Sequence, residues 1–492
     1  MNRSKLMKRR FALAALTVLL TVNFAAIQAL ADNQKGTNCS QKPTVKKPGL
    51  RPDLRLLSAD PYQTAFDYLV TFYPRWFTYE QASGGPCNRL IGPNRISPLY
   101  QAVVAINDDT LYASTPIGAA DEPAIVTIPD TSDNYSVLHL DQNGALEQGG
   151  MSGSKGPGVF AIVGPNWVGT LPQGVTPFYV QDNYSNLLFR ADKFVLQNGQ
   201  YVDMEKEAEK FRKNLLAQSL SDYLKNPKKG ATDILPEKNF AAPIKTLADG
   251  LVANDPIVFL RMTQEAVASP STNPLSTDEQ TLSDTFDALF ADLANRPLLA
   301  AGAQGGHHEL IDNYHSHTIP GTSWIFFTDT AQWDLSTFQG YLNRASITEY
   351  IQYGNDLCQP DGTCAAAYFH NFLDANGQPL DGSVHSYTLT FPPNGEPETK
   401  RFWSLTAYTP ETIELIPNKI GKYEVASYTK HLQPNRDGSL TIVISANKPD
   451  NVPEANWLPV WNAPFNVMLR DYGPEGNVAN GTYVPPPVVV AQ

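Results

Sequence analysis

Apolar and polar positions follow two different periods along the chain, and the changes between them divide it into three parts. From residue 110 to residue 182, short apolar runs such as "TLYAST", "AIVTIPD" and "YSVLHLD" are separated by Pro, Gly, Asn and Asp. Two later segments, 203–226 and 277–303, repeat their apolar residues at helical spacing, and strand-like runs such as "RFWSLTAY" and "LTIVISA" return from 384. The pattern predicts a mainly β protein with a helical middle segment. The two β-domains are expected to be antiparallel sandwiches or jelly rolls.

These periods set the domain boundaries. A helix is predicted from Asp60, which can cap it, to Pro74, which is expected to end it. The "NRDGSL" segment predicts a hairpin through Asp437-Gly438. The predicted organisation is a signal peptide (1–31), an N-terminal arm (32–59), an N-terminal β-domain (60–200), a helical middle region (201–330), a C-terminal β-domain (331–480) and a loose tail (481–492).

The composition is that of a globular protein rich in turns. Of 492 residues, 17% are charged, and the 39 Pro and 33 Gly favour strands joined by turns over helical bundles. The net charge is −12, and no basic stripe follows the first ten residues. Because a nucleic-acid surface needs clustered Lys and Arg, the sequence excludes nucleic acid as a partner.

The N-terminus has the composition of a secretory signal. A basic segment, "MNRSKLMKRR", precedes the apolar run "FALAALTVLLTVNFAAIQALA", which ends at Ala31. Polar residues interrupt the run, so a peptide cleaved after Ala31 is favoured over an uncleaved anchor. We therefore expect export to the periplasm or the extracellular space, and no stable membrane span after cleavage.

Cysteine usage agrees with export. All four cysteines, Cys39, Cys87, Cys358 and Cys364, follow the predicted cleavage point. An even number in an oxidising compartment predicts two disulfides, Cys39–Cys87 and Cys358–Cys364, the second closed through the turn "CQPDGTC". A zinc site is the alternative, but neither pair has C-x-x-C spacing.

The segment "INDDTLY", Ile106 to Tyr112, holds the first candidate site. Asn and Asp side chains pin turns by accepting backbone N–H bonds, which is the structural interpretation. In the functional interpretation Asp109 is a general base and Tyr112 a hydrogen-bond donor, with Asn107 and Thr110 binding ligand. Adjacent strand residues point to opposite faces, so Asp108 and Asp109 are not expected to form a dyad.

A second candidate group is aromatic and carries one arginine. "RFWSLTAY" and "NWLPVWNAPFNVMLRDY" contain Trp403, Trp457 and Arg470. Such residues are either core packing with a capping arginine, or a groove in which Arg470 binds an anionic or polyhydroxylated ligand.

The histidine-rich segment "HHELIDNYHSH" includes His307, His308, His315 and His317. Its spacing matches no H-E-x-x-H zinc pattern, so an exposed polar connector is expected and no metal is assigned. G-x-S-x-G, P-loop and dinucleotide fingerprints are all absent from the sequence, and no cofactor is expected.

Several motifs, taken in order, resemble a known pair of families. "NDDTLYAS", "VTIPDTSDNYSVLHLDQ" and "FAIVGPNWVGTLPQGV" resemble domain of unknown function 1254, and "FWSLTAY", "DGSLTIVIS", "NWLPV" and "LRDYGPEG" resemble domain of unknown function 1214. The resemblance spans residues 60–476 and implies an exported protein with two β-domains, without implying an activity. Ile106 stands where the family pattern has Pro, and Val460 and Trp461 replace Ala-Pro.

Two functional hypotheses follow. The first is an exported hydrolase whose cleft lies between the β-domains, with Asp109, Tyr112 and Arg470 as candidate catalytic residues. The second is a non-catalytic protein that binds a small-molecule or saccharide-like ligand, or that forms part of an envelope or particle surface. Either is compatible with a homo-oligomer.

Overall fold

The computed structural model describes residues 60–83, 87–97, 104–141, 151, 153, 155–230, 232–233, 244–269, 274–327, 334–350 and 365–491. The predicted signal peptide and arm lie outside these residues, as do Cys39, Cys358 and Cys364. Cys87 lies within them, and the described residues contain no free cysteine. The predicted disulfide pairing therefore stays a prediction.

The longest uninterrupted run of described helices lies, in sequence order, between the strands of the N-terminal half and those of the C-terminal half. The described helices are α1 (Pro61–Ser83), α2 (Glu205–Asn214), α3 (Leu220–Lys225), α4 (Ile244–Asn254), α5 (Pro256–Ala268), α6 (Thr277–Phe290), α7 (Arg296–Ser316), α8 (Phe338–Tyr350) and α9 (Gly476–Ala479). Two 3-10 turns, Leu293–Asn295 and Glu454–Asn456, accompany them. No described helix has both the length and the apolar character needed to cross a membrane.

The N-terminal half holds two larger sheets. Its strands are β1 (Leu90–Ile91), β2 (Thr110–Gly118), β3 (Ala124–Ile128), β4 (Tyr135–Asp141), β5 (Gly158–Val163), β6 (Val175–Tyr179), β7 (Tyr184–Asp192), β8 (Phe194–Gln197), β9 (Gln200–Asp203), β10 (Leu216–Ser219) and β11 (Thr232–Asp233). They form sheets in the orders β11-β1-β2-β7-β4 and β10-β3-β5-β6, with β8-β9 as a hairpin. Apolar side chains from both larger sheets share one hydrophobic cluster, which includes Leu111, Val126 and Phe189.

The C-terminal half repeats this plan. Its strands are β12 (Trp324–Ile325), β13 (Ala366–Asn371), β14 (Tyr387–Phe391), β15 (Thr399–Tyr408), β16 (Glu424–Ala426), β17 (Leu440–Ser445), β18 (Trp457–Pro459), β19 (Asn466–Pro474) and β20 (Val488–Val490). The sheet orders are β12-β13-β19-β15-β16 and β18-β17-β14-β20. The expectation of a β-rich chain with helices is confirmed, and the sheets are both antiparallel and mixed.

The first helix continues past Pro74, so the predicted end at that residue is wrong. Proline removes one backbone hydrogen bond, but Tyr73 and Trp76 on either side are fully buried, and their packing offsets that loss. Helix α1 lies against α7, where Gly302 meets the Tyr62 carbonyl so closely that a Cβ would sit 2.2 Å from its oxygen. Glycine is therefore required for this helix contact.

Both long amphipathic segments are interrupted, contrary to the sequence prediction. Residues 203–226 form α2, then β10, then α3, because β10 pairs with the edge of β3. Residues 277–303 form α6, a 3-10 turn and the start of α7, which begins anew at Arg296-Pro297. In both cases tertiary packing overrides local helical spacing.

Three further expectations are also wrong. Asp437-Gly438 makes a turn, but β16 and β17 on either side of it belong to different sheets, so there is no hairpin between them. The tail is not loose, because β20 pairs with β14 and Val488 is fully buried. The histidine-rich segment is the second half of α7, not a connector, and His307 and Tyr314 in it are buried.

Candidate functional site

The candidate site is formed by polar side chains on one face of each five-stranded sheet and by the segment 105–110, which contacts the C-terminal half. In the C-terminal half, alternation along β13, β15 and β19 sets Tyr368, Ser404 and Arg470 side by side on one face. In the N-terminal half, Tyr112 and Ser136 flank Arg190 in the same way. The cross-strand register thus builds two rows of polar residues within apolar strands.

The segment 105–110 is held by the C-terminal half. The Ala105 amide donates to the Ile413 carbonyl at 3.1 Å, and the Ala105 carbonyl accepts a hydrogen bond from Arg470. The Tyr408 hydroxyl donates to the Ile106 carbonyl at 2.7 Å. Ala105 has a φ of +55°, in the left-handed region that only close packing makes tolerable for alanine. Residues 104–106 are accordingly not part of a strand.

Asn107 organises the turn that follows. Its Oδ1 accepts from the amides of Asp109 and Thr110 at 3.0 and 3.1 Å, and from the Thr110 hydroxyl. Its Nδ2 donates to the Tyr112 hydroxyl at 2.8 Å and to the Tyr472 hydroxyl. The sequence allowed a turn-pinning role for both Asn and Asp side chains, and it is Asn107 that has this role and that also bridges the two halves.

Asp109 is fully buried and faces the C-terminal half. Its Oδ2 accepts from the Ser404 hydroxyl at 2.7 Å, and its Oδ1 accepts from the Tyr428 hydroxyl. Asp108 lies instead 3.3 Å from Lys193, so the two carboxylates have different partners, as predicted. Burial raises the pKa of Asp109, while the Tyr428 hydrogen bond and the charge of Arg470 act in the opposite direction.

Glu424 on β16 is the third carboxylate of this cluster. The residue as a whole is only half-buried, but its Oε2 is buried and has no hydrogen-bond partner among the described residues. Burial raises the pKa of Glu424 well above its ordinary value, and the nearby Asp109 and Asp108 raise it further. Burial likewise raises the pKa of Asp108, against the charge of Lys193. Such a cluster holds protons at neutral pH that isolated carboxyl groups would release.

Two arginines are buried between the halves. Arg190 donates to the Tyr368 hydroxyl, and its guanidinium carbon lies 5.3 Å from the Tyr472 ring centroid. Arg470 lies over the rings of Tyr408 and Tyr368, at 5.2 and 5.7 Å. Arg190 Nε and Nη2 and Arg470 Nη1 have no hydrogen-bond partner among the described residues. The Ser136 hydroxyl, directly opposite Arg190 on β4, is also without one.

Neither guanidinium forms an ion pair with a carboxylate within 4.0 Å in the described part of the chain. Arg401 differs, because it pairs with the buried Asp192 through Nε at 2.7 Å and also through Nη2. Arg401 therefore ties β15 to β7 as a satisfied ion pair, while Arg190 and Arg470 keep donors available.

The structure brings together most of the residues that the sequence singled out. Asp109, Tyr112 and Arg470 belong to one cluster with Asn107, and Thr110 takes part through the Asn107 turn. Trp403 and Trp457 do not join it. Trp403 points to the opposite face of its sheet, 5.1 Å from the Phe391 ring centroid, and the Trp457 indole donates to the Ser445 carbonyl at 3.1 Å.

The members of the cluster that were not found from the sequence include Ser136, Arg190, Tyr368, Glu424 and Tyr428. Arg190 carries the clearest signal, because it is the lone charge inside the apolar strand "NLLFRA", where a buried charge needs a specific partner. Tyr368 and Tyr428 are ordinary strand aromatics in the sequence and carry no such signal.

The comparisons with known proteins support the fold and assign no activity. Residues 87–217 match the family model described as "Protein of unknown function (DUF1254)", and residues 365–476 match "Protein of unknown function (DUF1214)". No curated protein matches the chain. The crystal structure of the VPA0106 protein from Vibrio parahaemolyticus is 21% identical, with a TM-score of 0.55 over 88% of this chain and 100% of that one. A putative uncharacterized protein from Burkholderia cenocepacia is 12% identical, with a TM-score of 0.42 over 88% and 94%.

Proposed function

Because this chain belongs to the family that pairs DUF1254 with DUF1214, whose descriptions assign no activity, we propose its function from the interface itself: it binds a small anion between the two β halves. The observation that carries the proposal is the pair of buried guanidiniums, Arg190 and Arg470. Both are almost fully buried, and together they present three guanidinium nitrogens that have no hydrogen-bond partner among the described residues.

Burying a charged group away from water costs free energy. A buried guanidinium without a carboxylate at hydrogen-bond distance is costly to desolvate, and an anion placed against its free N–H groups offsets that cost. The planar guanidinium matches the paired oxygens of carboxylate and phosphate. Arg190 and Arg470 share Tyr112, Tyr368 and Tyr472 as electrostatic neighbours, which supports one common ligand.

The surroundings favour a small ligand that carries hydroxyl groups as well as charge. The Ser136 hydroxyl has no partner, and the tyrosine rings offer flat apolar faces to a sugar or a short carbon chain. Since the guanidiniums are buried, the two halves must part before a ligand enters. Slow association is therefore part of the proposal.

Melting curves with defined anions test the proposal. Inorganic phosphate, sulfate, succinate and glucose 6-phosphate are each added at constant ionic strength. We expect at least one to raise the melting temperature by several degrees, because a ligand present at about 100 times its Kd stabilises by roughly 2.7 kcal/mol. Arg190→Met is expected to abolish this shift.

Arg344→Met is the matched control. Arg344 is a buried guanidinium in α8 that donates to the Thr71 carbonyl at 2.9 Å, away from the interface. The variant is expected to melt at a lower temperature than the wild type and still respond to the same anion. A response that survives in Arg190→Met, or no response to any of the four anions, contradicts the proposal.

Hydrolysis is a second candidate, favoured by one contact. The Ser404 hydroxyl donates to Asp109 Oδ2 at 2.7 Å, and burial raises the pKa of that carboxyl. A carboxyl with a raised pKa beside a hydroxyl and a buried arginine suits general acid–base catalysis of the hydrolysis of an ester or glycosidic bond by water. In this candidate Asp109 moves the proton, and Arg470 stabilises the negative charge that develops.

Asp109→Asn tests this candidate against a panel of p-nitrophenyl esters and glycosides. If the wild type turns over one substrate, we expect kcat/KM to fall at least 100-fold in the variant, since general acid–base groups contribute about 10²–10⁴. Asp121→Asn, an exposed carboxylate, is the control. Turnover retained in Asp109→Asn excludes the proposed role.

Location and architecture complete the proposal. We propose that each half is a two-layer sandwich, because both of its larger sheets contribute to one hydrophobic cluster.

We also propose export after cleavage behind Ala31, with the disulfides Cys39–Cys87 and Cys358–Cys364 formed outside the cytoplasm. A homo-oligomer remains compatible with this arrangement.

A further inference from the structure

A second polar cluster lies inside the helical region, outside the interface between the sheets. Asp249 comes from α4, His307 from α7 and Glu349 from α8. Glu349 is fully buried, His307 is nearly so, and the Asp249 side chain keeps 32% of its exposure. Three helices that are distant in sequence therefore bring one imidazole and two carboxylates to the same point.

The ligand-capable atoms of these residues converge. Asp249 Oδ1, His307 Nε2 and Glu349 Oε1 each make no hydrogen bond within the described ranges, although Glu349 Oε1 forms an ion pair with Lys245 at 2.9 Å. One ligand atom from each residue lies within 4.8 Å of the others, and His307 Nε2 is 3.4 Å from Asp249 Oδ1 and 3.8 Å from Glu349 Oε1. Around a tetrahedral ion with bonds of about 2.0–2.2 Å, ligand atoms are roughly 3.3–3.6 Å apart. The spacing is thus close to that of a coordination shell.

We propose that Asp249, His307 and Glu349 bind a single first-row divalent metal ion, and that Zn²⁺ suits this ligand set. One nitrogen and two carboxylate oxygens are donors that zinc accepts, and the imidazole disfavours Mg²⁺ and Ca²⁺, which prefer oxygen. The partly exposed Asp249 gives the ion a path from solvent.

The surrounding groups fit this role. The Tyr73 hydroxyl donates to Glu349 Oε2, the oxygen not used for the ion, and so orients the carboxylate. Burial lowers the pKa of His307 to about 4, which keeps the imidazole neutral and able to coordinate at pH 7. Burial and the neighbouring Glu349 carboxylate raise the pKa of Asp249 to about 7, and a cation bound between the two carboxylates would offset their repulsion.

Lys245 is the competing cation. Its Nζ lies 2.6 Å from Asp249 Oδ2 and 2.9 Å from Glu349 Oε1. The Lys245 ammonium therefore competes with a metal ion for Glu349 Oε1, and its positive charge repels an ion bound there. Replacing Lys245 by Met removes this competition, and tighter metal binding follows.

Calorimetric titration of the full chain with ZnCl₂, after removal of metal with EDTA, tests the site. We expect one equivalent to bind to the wild type, at least tenfold weaker binding in His307→Ala, and at least tenfold tighter binding in Lys245→Met. His308→Ala is the matched control, because His308 is the next residue, is exposed, and pairs with Asp312 at 2.9 Å. It is expected to bind Zn²⁺ as the wild type does.

Absorption of the Co²⁺-loaded protein gives a second readout. A tetrahedral site that includes an imidazole is expected to give visible d–d bands in the wild type that are lost in His307→Ala. If His307→Ala does not fold by circular dichroism, Asp249→Asn takes its place with the same expectation. Equal Zn²⁺ affinity in His307→Ala and His308→Ala, or no binding even in Lys245→Met, overturns the proposal.

Discussion

Arg470→Ala is expected to lower the free energy of unfolding by about 3–5 kcal/mol, the range seen when a large buried side chain is truncated. The side chain is fully enclosed between Tyr408 and Tyr368, and it donates to the carbonyl of Ala105. Truncation leaves a cavity and a buried carbonyl without its donor, and we expect these two effects to outweigh the desolvation cost that is relieved when the guanidinium is removed. Urea unfolding measures the change.

Arg470→Met separates the two effects. Methionine refills most of the volume but cannot donate to Ala105, so we expect its loss to be smaller than that of alanine, about 1–3 kcal/mol for the unsatisfied carbonyl. Because Arg470 also joins the halves, both variants are expected to unfold less cooperatively, with a lower m-value. Arg436→Ala, an exposed arginine, is the control and is expected to stay within about 0.5 kcal/mol of the wild type. An Arg470→Ala variant as stable as that control would show that the interface does not depend on this side chain.

The second large effect is a dependence of stability on pH that Glu424 controls. Burial raises the pKa of Glu424 well above its ordinary value, and Asp109 and Asp108 add to this. The folded chain therefore keeps a proton that the unfolded chain releases above about pH 4.3, its ordinary pKa. Stability from this group is fully present below that pH and falls as pH rises toward the pKa of the folded state, by at most about 1.4 kcal/mol per pH unit.

Glu424→Gln is expected to remove that slope. The amide is neutral at all pH values, so the variant should match the wild type near pH 4.5 and become progressively more stable than the wild type towards pH 8. Urea unfolding at four pH values across this range measures the difference. Asp121→Asn, which replaces an exposed carboxylate, is the control, and its free energy of unfolding should depend on pH as that of the wild type does. A wild type and a Glu424→Gln variant with parallel profiles would rule out a proton held by Glu424.

The sequence predicted the parts of the fold that depend on local pattern. Short apolar runs separated by turn residues located β2, β4, β5, β15, β17 and β19, because both signals are properties of neighbouring residues. The two family resemblances were recognisable for the same reason, since their motifs are short and contiguous. Local pattern failed where another element intervened, as at Pro74, whose helix persists because its neighbours are buried by other helices.

The candidate site was only partly predictable. The sequence indicated Asp109, Tyr112 and Arg470. Asp108 and Asp109 have different partners, as expected, but they precede β2, so strand alternation is not the reason. Alternation along a strand defines two faces without saying what each face contacts. The sequence therefore could not show that the face of β19 with Arg470 contacts the N-terminal half, or that the face of β15 with Trp403 lies in the C-terminal core.

What the sequence by itself determined is the order and type of most elements, the acidic charge balance and the identity of the segment around Asn107. Only the tertiary structure decided that Arg190 and Arg470, 280 positions apart in the numbering, face the same tyrosines, and that Asp249, His307 and Glu349 converge from three helices. The physical reason is that such contacts arise from how whole sheets and helices pack. Packing is selected by the burial of apolar faces, and the polar groups carried on those faces are brought together with them.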